Sequence, residues 1–238
     1  MLSLSSRKRY NRLRFKGAPK LKKLNVYLVR HGQTYYNIYN KLQGWSNSPL
    51  TQKGMQDARN AGEKLAKIHF DAAFCSDTTR AEATIQTILD MNQADSVKQP
   101  ITAPFFREEF YGYFEGANMD EAWYLAGAPH GLPTFKAIVE KYSIGQAKDW
   151  LKDADPFHHA ENNAEYWARV DQGIDLIRHS EVPDDANILW VSHGNTLLSL
   201  MERFGQGKYD LTVRPENGSL TKLILTDDDV EVEYYNHK

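Results

Sequence analysis

The chain has 238 residues, 41% hydrophobic and 25% charged, with a formal net charge of −2. This is the balance of an ordinary soluble globular protein, long enough for one α/β domain with an insert. No apolar run approaches the ~20 residues that span a bilayer. The first two dozen residues lack the apolar stretch of a secretory signal. The single cysteine, Cys75, excludes an internal disulfide and suits a reducing cytoplasm, the expected location.

The small net charge hides an asymmetry. Residues 1–24 hold nine Lys or Arg and no acidic residue. Residues 25–238 hold the other 20 basic and all 31 acidic residues, a net of −11. Residues 1–23 therefore read as a basic arm on an acidic body, 24–238. A solvated tail is the expectation for the arm. Contact with nucleic acid or an anionic surface is the sharper alternative.

In chain order, Val26 to Val29 form a short apolar run of β-formers, the mark of a buried strand. It ends in Arg30-His31-Gly32. Burying an arginine beside a histidine is costly unless both find partners, so the strand aims them at a site on the sheet edge. A solvated turn is the plainer reading of these three residues taken alone. Tyr35 to Ser48 reads as a loop. Thr51 is the expected N-cap of a helix whose inner face carries Met55, Ala58, Ala61, Leu65 and Ile68. Ala72 to Cys75 is a second strand, with Cys75 as buried packing. Ser76 to Thr79 then supplies caps for a helix holding Arg80 in its first turn, where backbone N–H groups favour an anion. Val97 to Pro104 holds a third strand. This β-α-β-α-β order predicts a mostly parallel sheet between two helical layers.

Residues 117–160 break the alternation into short helices joined by Gly and Pro turns, read as a helical insert over the site. Asn163 to His179 is a further amphipathic helix. Ile188 to Val191 is another buried strand, ending in Ser192-His193-Gly194, and Asn195 opens the next helix. Leu220 to Leu225 and Val230 to Tyr234, around three aspartates, read as a terminal hairpin. His158-His159 lacks the spacing of a specific metal site. Ser192 lacks a hydrolase elbow, and no phosphate-binding loop of the nucleotide-hydrolase type is present.

Four stretches in order carry a resemblance: L-V-R-H-G-Q-T-x-x-N from Leu28, S-D-T-T-R-A-E-A from Ser76, R-E-E-F-Y-G-Y-F-E-G from Arg107, and V-S-H-G-N from Val191. The segment Gln43 to Gly54 fits as well. Together they resemble the histidine phosphatase superfamily, in its phosphoglycerate-mutase-like branch. The resemblance covers roughly 24–116 and 187–226 and only weakly the insert. It implies a three-layer α/β/α fold and no cofactor or metal. His31 matches the family's nucleophile, which takes the phosphoryl group as a phosphohistidine. Arg30, Arg80 and His193 match the groups that hold the phosphate oxygens. Glu108 matches the acid that protonates the leaving oxygen, because that acid stands four residues before Gly112. Asn37, Gln43, Gly44, Gly194 and Asn195 are the further substrate contacts expected.

The reading is a metal-independent phosphomonoesterase acting on a small phosphorylated metabolite. A phosphoglycerate mutase on the same site is the first alternative. A non-catalytic phosphate-binding or regulatory protein is the second. Mutases of the family carry E-R-H-Y-G where this chain has Glu108-Glu109-Phe110-Tyr111-Gly112, and they carry paired arginines in the insert, whereas 117–168 contains no arginine. Glu109 is expected to repel a phosphoglycerate carboxylate.

Overall fold

The computed structural model describes residues 22–238, so nearly all of the basic arm lies outside the described residues. Six strands form one sheet: β1 (Leu24–Arg30), β2 (Ala72–Cys75), β3 (Ile101–Thr102), β4 (Ala186–Ser192), β5 (Leu220–Leu225) and β6 (Val230–His237). Their order is β3-β2-β4-β1-β5-β6. The first four are parallel, while β5 pairs antiparallel with β1 and β6 with β5. The mostly parallel sheet is thus joined at one edge by the expected hairpin.

Side-chain alternation along β1 and β4 builds the layers. Val26, Leu28, Ile188 and Trp190 pack against α7 (Asn163–Arg178) and α8 (Gly194–Phe204). Val29, Leu189 and Val191 pack on the other face against α2 (Gln52–Leu65) and α3 (Thr79–Met91). Both faces being covered, the strands must be apolar throughout, which is why their runs are continuous rather than alternating. Cys75 lies inside the second layer, and burial pushes its thiol up to about 12. It is packing, as expected.

The cap read from the sequence at Thr51 is used, and the structure adds one at Asn162. Thr51 accepts the Gly54 N–H at the start of α2, and Asn162 forms a capping box with Glu165 at the start of α7. The insert holds α4 (Met119–Gly127), α5 (Phe135–Lys141) and α6 (Ile144–Ala154). It has its own core of Trp123, Ile138, Trp150 and Leu151, closed onto Leu42 and Tyr111.

Three local expectations differ. Tyr35–Ile38 is a one-turn helix, α1, rather than loop, because Thr34 and Asn37 cap each other reciprocally. The third strand shrinks to Ile101–Thr102 at the sheet edge. Thr78 makes no side-chain cap on α3. Its hydroxyl instead meets Ser76 Oγ at 2.8 Å, and Ser76 Oγ meets His193 Nε2 at 2.9 Å. A helix cap has been given over to a histidine.

Candidate active site

β1 and β4 are neighbours with Arg30 opposite Ser192, so their carboxyl ends deliver Arg30-His31 and His193 to one sheet edge. The two imidazole centroids lie 5.3 Å apart. The His31 N–H donates to Ser192 O at 3.0 Å. Gly32 is required by close approach: a Cβ there would stand 2.1 Å from Gly54 O.

His31 Nδ1 lies 2.8 Å from Gly32 O. A carbonyl only accepts, so Nδ1 carries the proton and Nε2 keeps its lone pair. Burial, then the charges of Arg80 and Arg30, hold this imidazole well below its ordinary pKa. The ring is therefore a neutral base at neutral pH. Histidine NMR should show His31 still neutral below pH 6.5. A titration midpoint at or above 6.5 would contradict this electrostatic picture.

Three buried nitrogens near the ring have no partner: the N–H donors Arg30 Nε and Arg80 Nε, and His193 Nδ1, which donates in the tautomer whose Nε2 accepts from Ser76. Arg30 donates through Nη1 to Pro215 O, and its guanidinium lies against Gly194 Cα. Arg80 spends its Nη groups on the carbonyls of Gln43, Gly44 and Ser46. Burial lowers both arginines to about 10, with Arg214 adding to the effect on Arg30. His193 is held well below its ordinary range by burial and then by Arg80. Leaving cationic donors buried and unpaired is costly, and an anion among them would relieve it.

Glu108 faces this group across a cavity of about 290 Å³ lined also by Arg30, His31, Asn37, Gln43 and Gly194. Its carboxylate accepts from Glu109 N (3.0 Å), Asn195 N (2.7 Å) and Thr196 Oγ1 (2.8 Å). Arg80 and His193 adjoin the His31 ring, both almost wholly buried. Two of the expected contacts have partners within the protein. Asn195 directs its backbone N–H to Glu108 and its side chain to Glu109, so it orients the carboxylates rather than lining the cavity. Gly44 is pinned between Arg80 and Glu115 and does not reach the cavity.

The expectation for Glu109 is corrected. It points inward, fully buried, toward Asn195 and the buried Lys148 of α6. It therefore cannot repel a ligand in the cavity. Burial raises its carboxyl to about 8. Lys148 donates to Ser199 Oγ at 2.7 Å and sits 4.4 Å from the Tyr166 ring centroid.

The sequence reading missed Lys41, Tyr111, Met119, Arg214 and Asn217, which all line the cavity. Asn217 had a readable signal, standing before a glycine in a turn. Its Nδ2 donates to His31 O at 2.9 Å. Arg169 of α7 was missed too. It pairs with Glu161 through two bonds of 2.7 Å and donates to the carbonyls of Phe105, Arg107 and Glu108. Trp45 Nε1 reaches the same Glu108 carbonyl at 3.1 Å. Arg169 thus fixes the backbone that carries Glu108. Arg169→Lys, which keeps the charge but loses the fork, should lower kcat by roughly 10- to 100-fold with little change in KM. Unchanged kcat would rule out this positioning role.

Among the described residues, no three His, Cys, Asp or Glu side chains cluster as metal ligands, and His158 and His159 are exposed. No helix among them is long and apolar enough to cross a membrane.

The family model of the histidine phosphatase superfamily (branch 1) matches residues 26–131 and 126–238. A 2,3-bisphosphoglycerate-dependent phosphoglycerate mutase of Cytophaga hutchinsonii is 32% identical over 175 residues, 73% of this chain and 74% of that protein. A second mutase of that name, from Gloeobacter violaceus, is 39% identical over 95 residues, covering 42% of its own length. The crystal structure of phosphoglycerate mutase from Bacillus anthracis strain Sterne superposes with a TM-score of 0.82 at 32% identity, covering 91% of this chain and 94% of that one. The α-ribazole phosphatase of Shigella flexneri shares the fold, with a TM-score of 0.62 at 23% identity over 89% of this chain and 96% of that one. The ordered motifs, the sheet that gathers them at one edge and the match along nearly the whole described chain lead to one conclusion: this protein belongs to the histidine phosphatase superfamily, branch 1.

Proposed function

We propose that the chain transfers a phosphoryl group from a small phosphomonoester to His31 and then to water. The observation that carries the first step is the set of unpartnered nitrogens, Arg30 Nε, Arg80 Nε and His193 Nδ1, around an imidazole whose Nε2 is free. Nε2 attacks phosphorus while the ester P–O bond breaks, and Glu108 gives its proton to the leaving oxygen. Arg30, Arg80 and His193 hold the three equatorial oxygens as charge spreads over them. Glu108, now a carboxylate, takes a proton from a water that attacks the phosphohistidine from the opposite side. The products are an alcohol and inorganic phosphate, and His31 is regenerated. Every group in this cycle belongs to the chain, so turnover should survive excess chelator. Loss with EDTA restored by a divalent ion would refute the metal-free scheme.

A second reading, phosphoglycerate mutase, is favoured by the names of the relatives at 32% identity. It differs only in the acceptor: the phosphohistidine must wait for the substrate's own second hydroxyl instead of water. The hydrolytic reading draws on the insert side of the cavity, where Met119 stands and 117–168 supplies no arginine. The inward turn of Glu109 removes the repulsion expected from the sequence, so that argument no longer separates the two. An assay coupling 2-phosphoglycerate formation to enolase, run beside phosphate release, decides between them. We expect release to exceed isomerisation; robust isomerisation with little release would establish the mutase.

A further inference from the structure

We propose that Ser76 is a positioning residue that holds the hydrogen of the His193 ring on Nδ1, so that this nitrogen donates to a phosphoryl oxygen. This rests on the phosphoryl-transfer reading of the site and adds how one of its oxygen contacts is kept in a donating form.

Strand register brings the two residues together. β2 runs parallel to β4, with Cys75 opposite Val191. Ser76 and His193 lie just past these ends and so arrive at one edge. Ser76 Oγ stands 2.9 Å from His193 Nε2 and 2.8 Å from Thr78 Oγ1. All three side chains are buried. Thr78 can spend its hydroxyl here because the start of α3 is satisfied by other groups. The N–H groups of Ala81 and Glu82 donate to Thr78 O, both at 3.0 Å, and that of Thr79 donates to Asn47 Oδ1 at 3.1 Å.

Counting hydrogens decides which way this chain of bonds runs. Burial, then the charge of Arg80, keeps the His193 ring neutral, so it carries one N–H. In one order Thr78 donates to Ser76, Ser76 donates to Nε2, and Nδ1 bears the ring hydrogen. Both hydroxyl hydrogens then have an acceptor. In the reverse order Nε2 donates to Ser76, and Ser76 donates to Thr78. Among the described residues Thr78 Oγ1 has no other partner, so its own hydrogen would be buried without an acceptor. That is costly, and it selects the first order. The one hydrogen left over is on Nδ1, which has no partner within the protein. A phosphoryl oxygen accepts it.

The same surroundings that keep His31 neutral for attack keep His193 neutral as well. An imidazolium would donate from either nitrogen and would need no such control. A neutral imidazole donates from one nitrogen and repels an oxygen with the other. The tautomer therefore decides whether His193 helps or hinders the transferring group, and the Ser76 hydroxyl sets the tautomer.

The test uses the full-length protein with ¹⁵N-labelled histidines. Long-range ¹H–¹⁵N correlation at neutral pH shows which nitrogen of His193 is protonated, its signal being the one lost in His193→Gln. We expect Nδ1 protonated and Nε2 bare, with and without inorganic phosphate. In Ser76→Ala the form protonated on Nε2 should appear in the protein without phosphate. Affinity for inorganic phosphate should weaken about threefold or more. Turnover of p-nitrophenyl phosphate should fall roughly 10- to 100-fold, somewhat less than the usual cost of removing an oxyanion donor outright. Ser76→Cys, which keeps a weak donor, should fall between the two, and it carries the comparison if circular dichroism shows Ser76→Ala unfolded. His193 protonated on Nε2, or on both nitrogens, in the unsubstituted protein would overturn the proposal. So would a fall in kcat with Nδ1 still protonated, which makes Ser76 packing alone, or a changed tautomer with kcat unchanged. Failure of the phosphoryl-transfer reading looks different: the tautomer and the phosphate affinity respond as stated, but the unsubstituted protein hydrolyses no ester.

Discussion

His31→Ala is expected to remove the phosphoenzyme and to lower kcat by roughly 10⁴- to 10⁶-fold, the usual scale for deleting a covalent nucleophile. The surroundings of the ring support the proposed role. Its Nδ1 proton is committed to Gly32 O, and flanking arginines keep it neutral. Its Nε2 has no other partner among the described residues. The His31 ring belongs to none of the apolar clusters of the two helical layers, so the variant should fold and still bind phosphate through Arg30, Arg80 and His193. Steady-state kinetics with a generic aryl phosphate, beside phosphate binding by calorimetry, measure the two properties separately. An alanine variant with near-normal kcat would show that water attacks the ester directly.

The next largest effect is expected at Glu108. Glu108→Gln keeps the shape but cannot give up a proton, and kcat should fall roughly 10²- to 10⁴-fold. The loss should shrink for esters with acidic alcohols, such as p-nitrophenyl phosphate, because a good leaving group needs no proton. Equal losses for alkyl and aryl esters would argue that Glu108 acts by charge or packing instead. Glu109→Gln is the contrast. Glu109 is turned away from the cavity, and burial pushes its carboxyl up, so the neutral amide is a close replacement for it. Turnover should stay within a few fold. A larger fall at Glu109 than at Glu108 would show that the two roles are reversed.

Much of this site was legible in the sequence because strands announce themselves. The apolar runs before Arg30 and His193 had to be buried on both faces, and a parallel pair delivers its ends to one edge. That logic alone left a solvated turn open at Arg30-His31, and it was the resemblance carried by the ordered motifs that joined His31, Arg30 and His193 in one expected site. The helix signal after Ser76 likewise put Arg80 in a first turn. Less legible was anything that depends on where a chain comes back. Arg214 and Asn217 lie in an irregular stretch before β5, and only the pairing of β5 with β1 brings them beside His31. Arg169 reads as one more charge on an amphipathic helix, because the carbonyls it binds lie some sixty residues earlier in the chain.

Glu109 and Asn195 show the opposite limit. The register next to Gly112 identified Glu108, but it could not say which way the following side chain turns. Asn195 follows a site histidine and was read as a phosphate contact. Its N–H belongs to Glu108, since the start of α8 is spent on holding the acid. A motif gives neighbours in sequence; the direction of each side chain is decided by the elements packed around it.

The central claim is that phosphorus passes through His31 before it reaches water. Rapid mixing of the enzyme with a phosphate ester, quenching in base within one turnover and mapping the labelled peptide by mass spectrometry tests it most directly. The account predicts one phosphoryl group on the peptide containing His31, formed no later than the first alcohol released and absent in His31→Ala. Release of alcohol and phosphate together with no labelled peptide, or label on His193 instead, would contradict it.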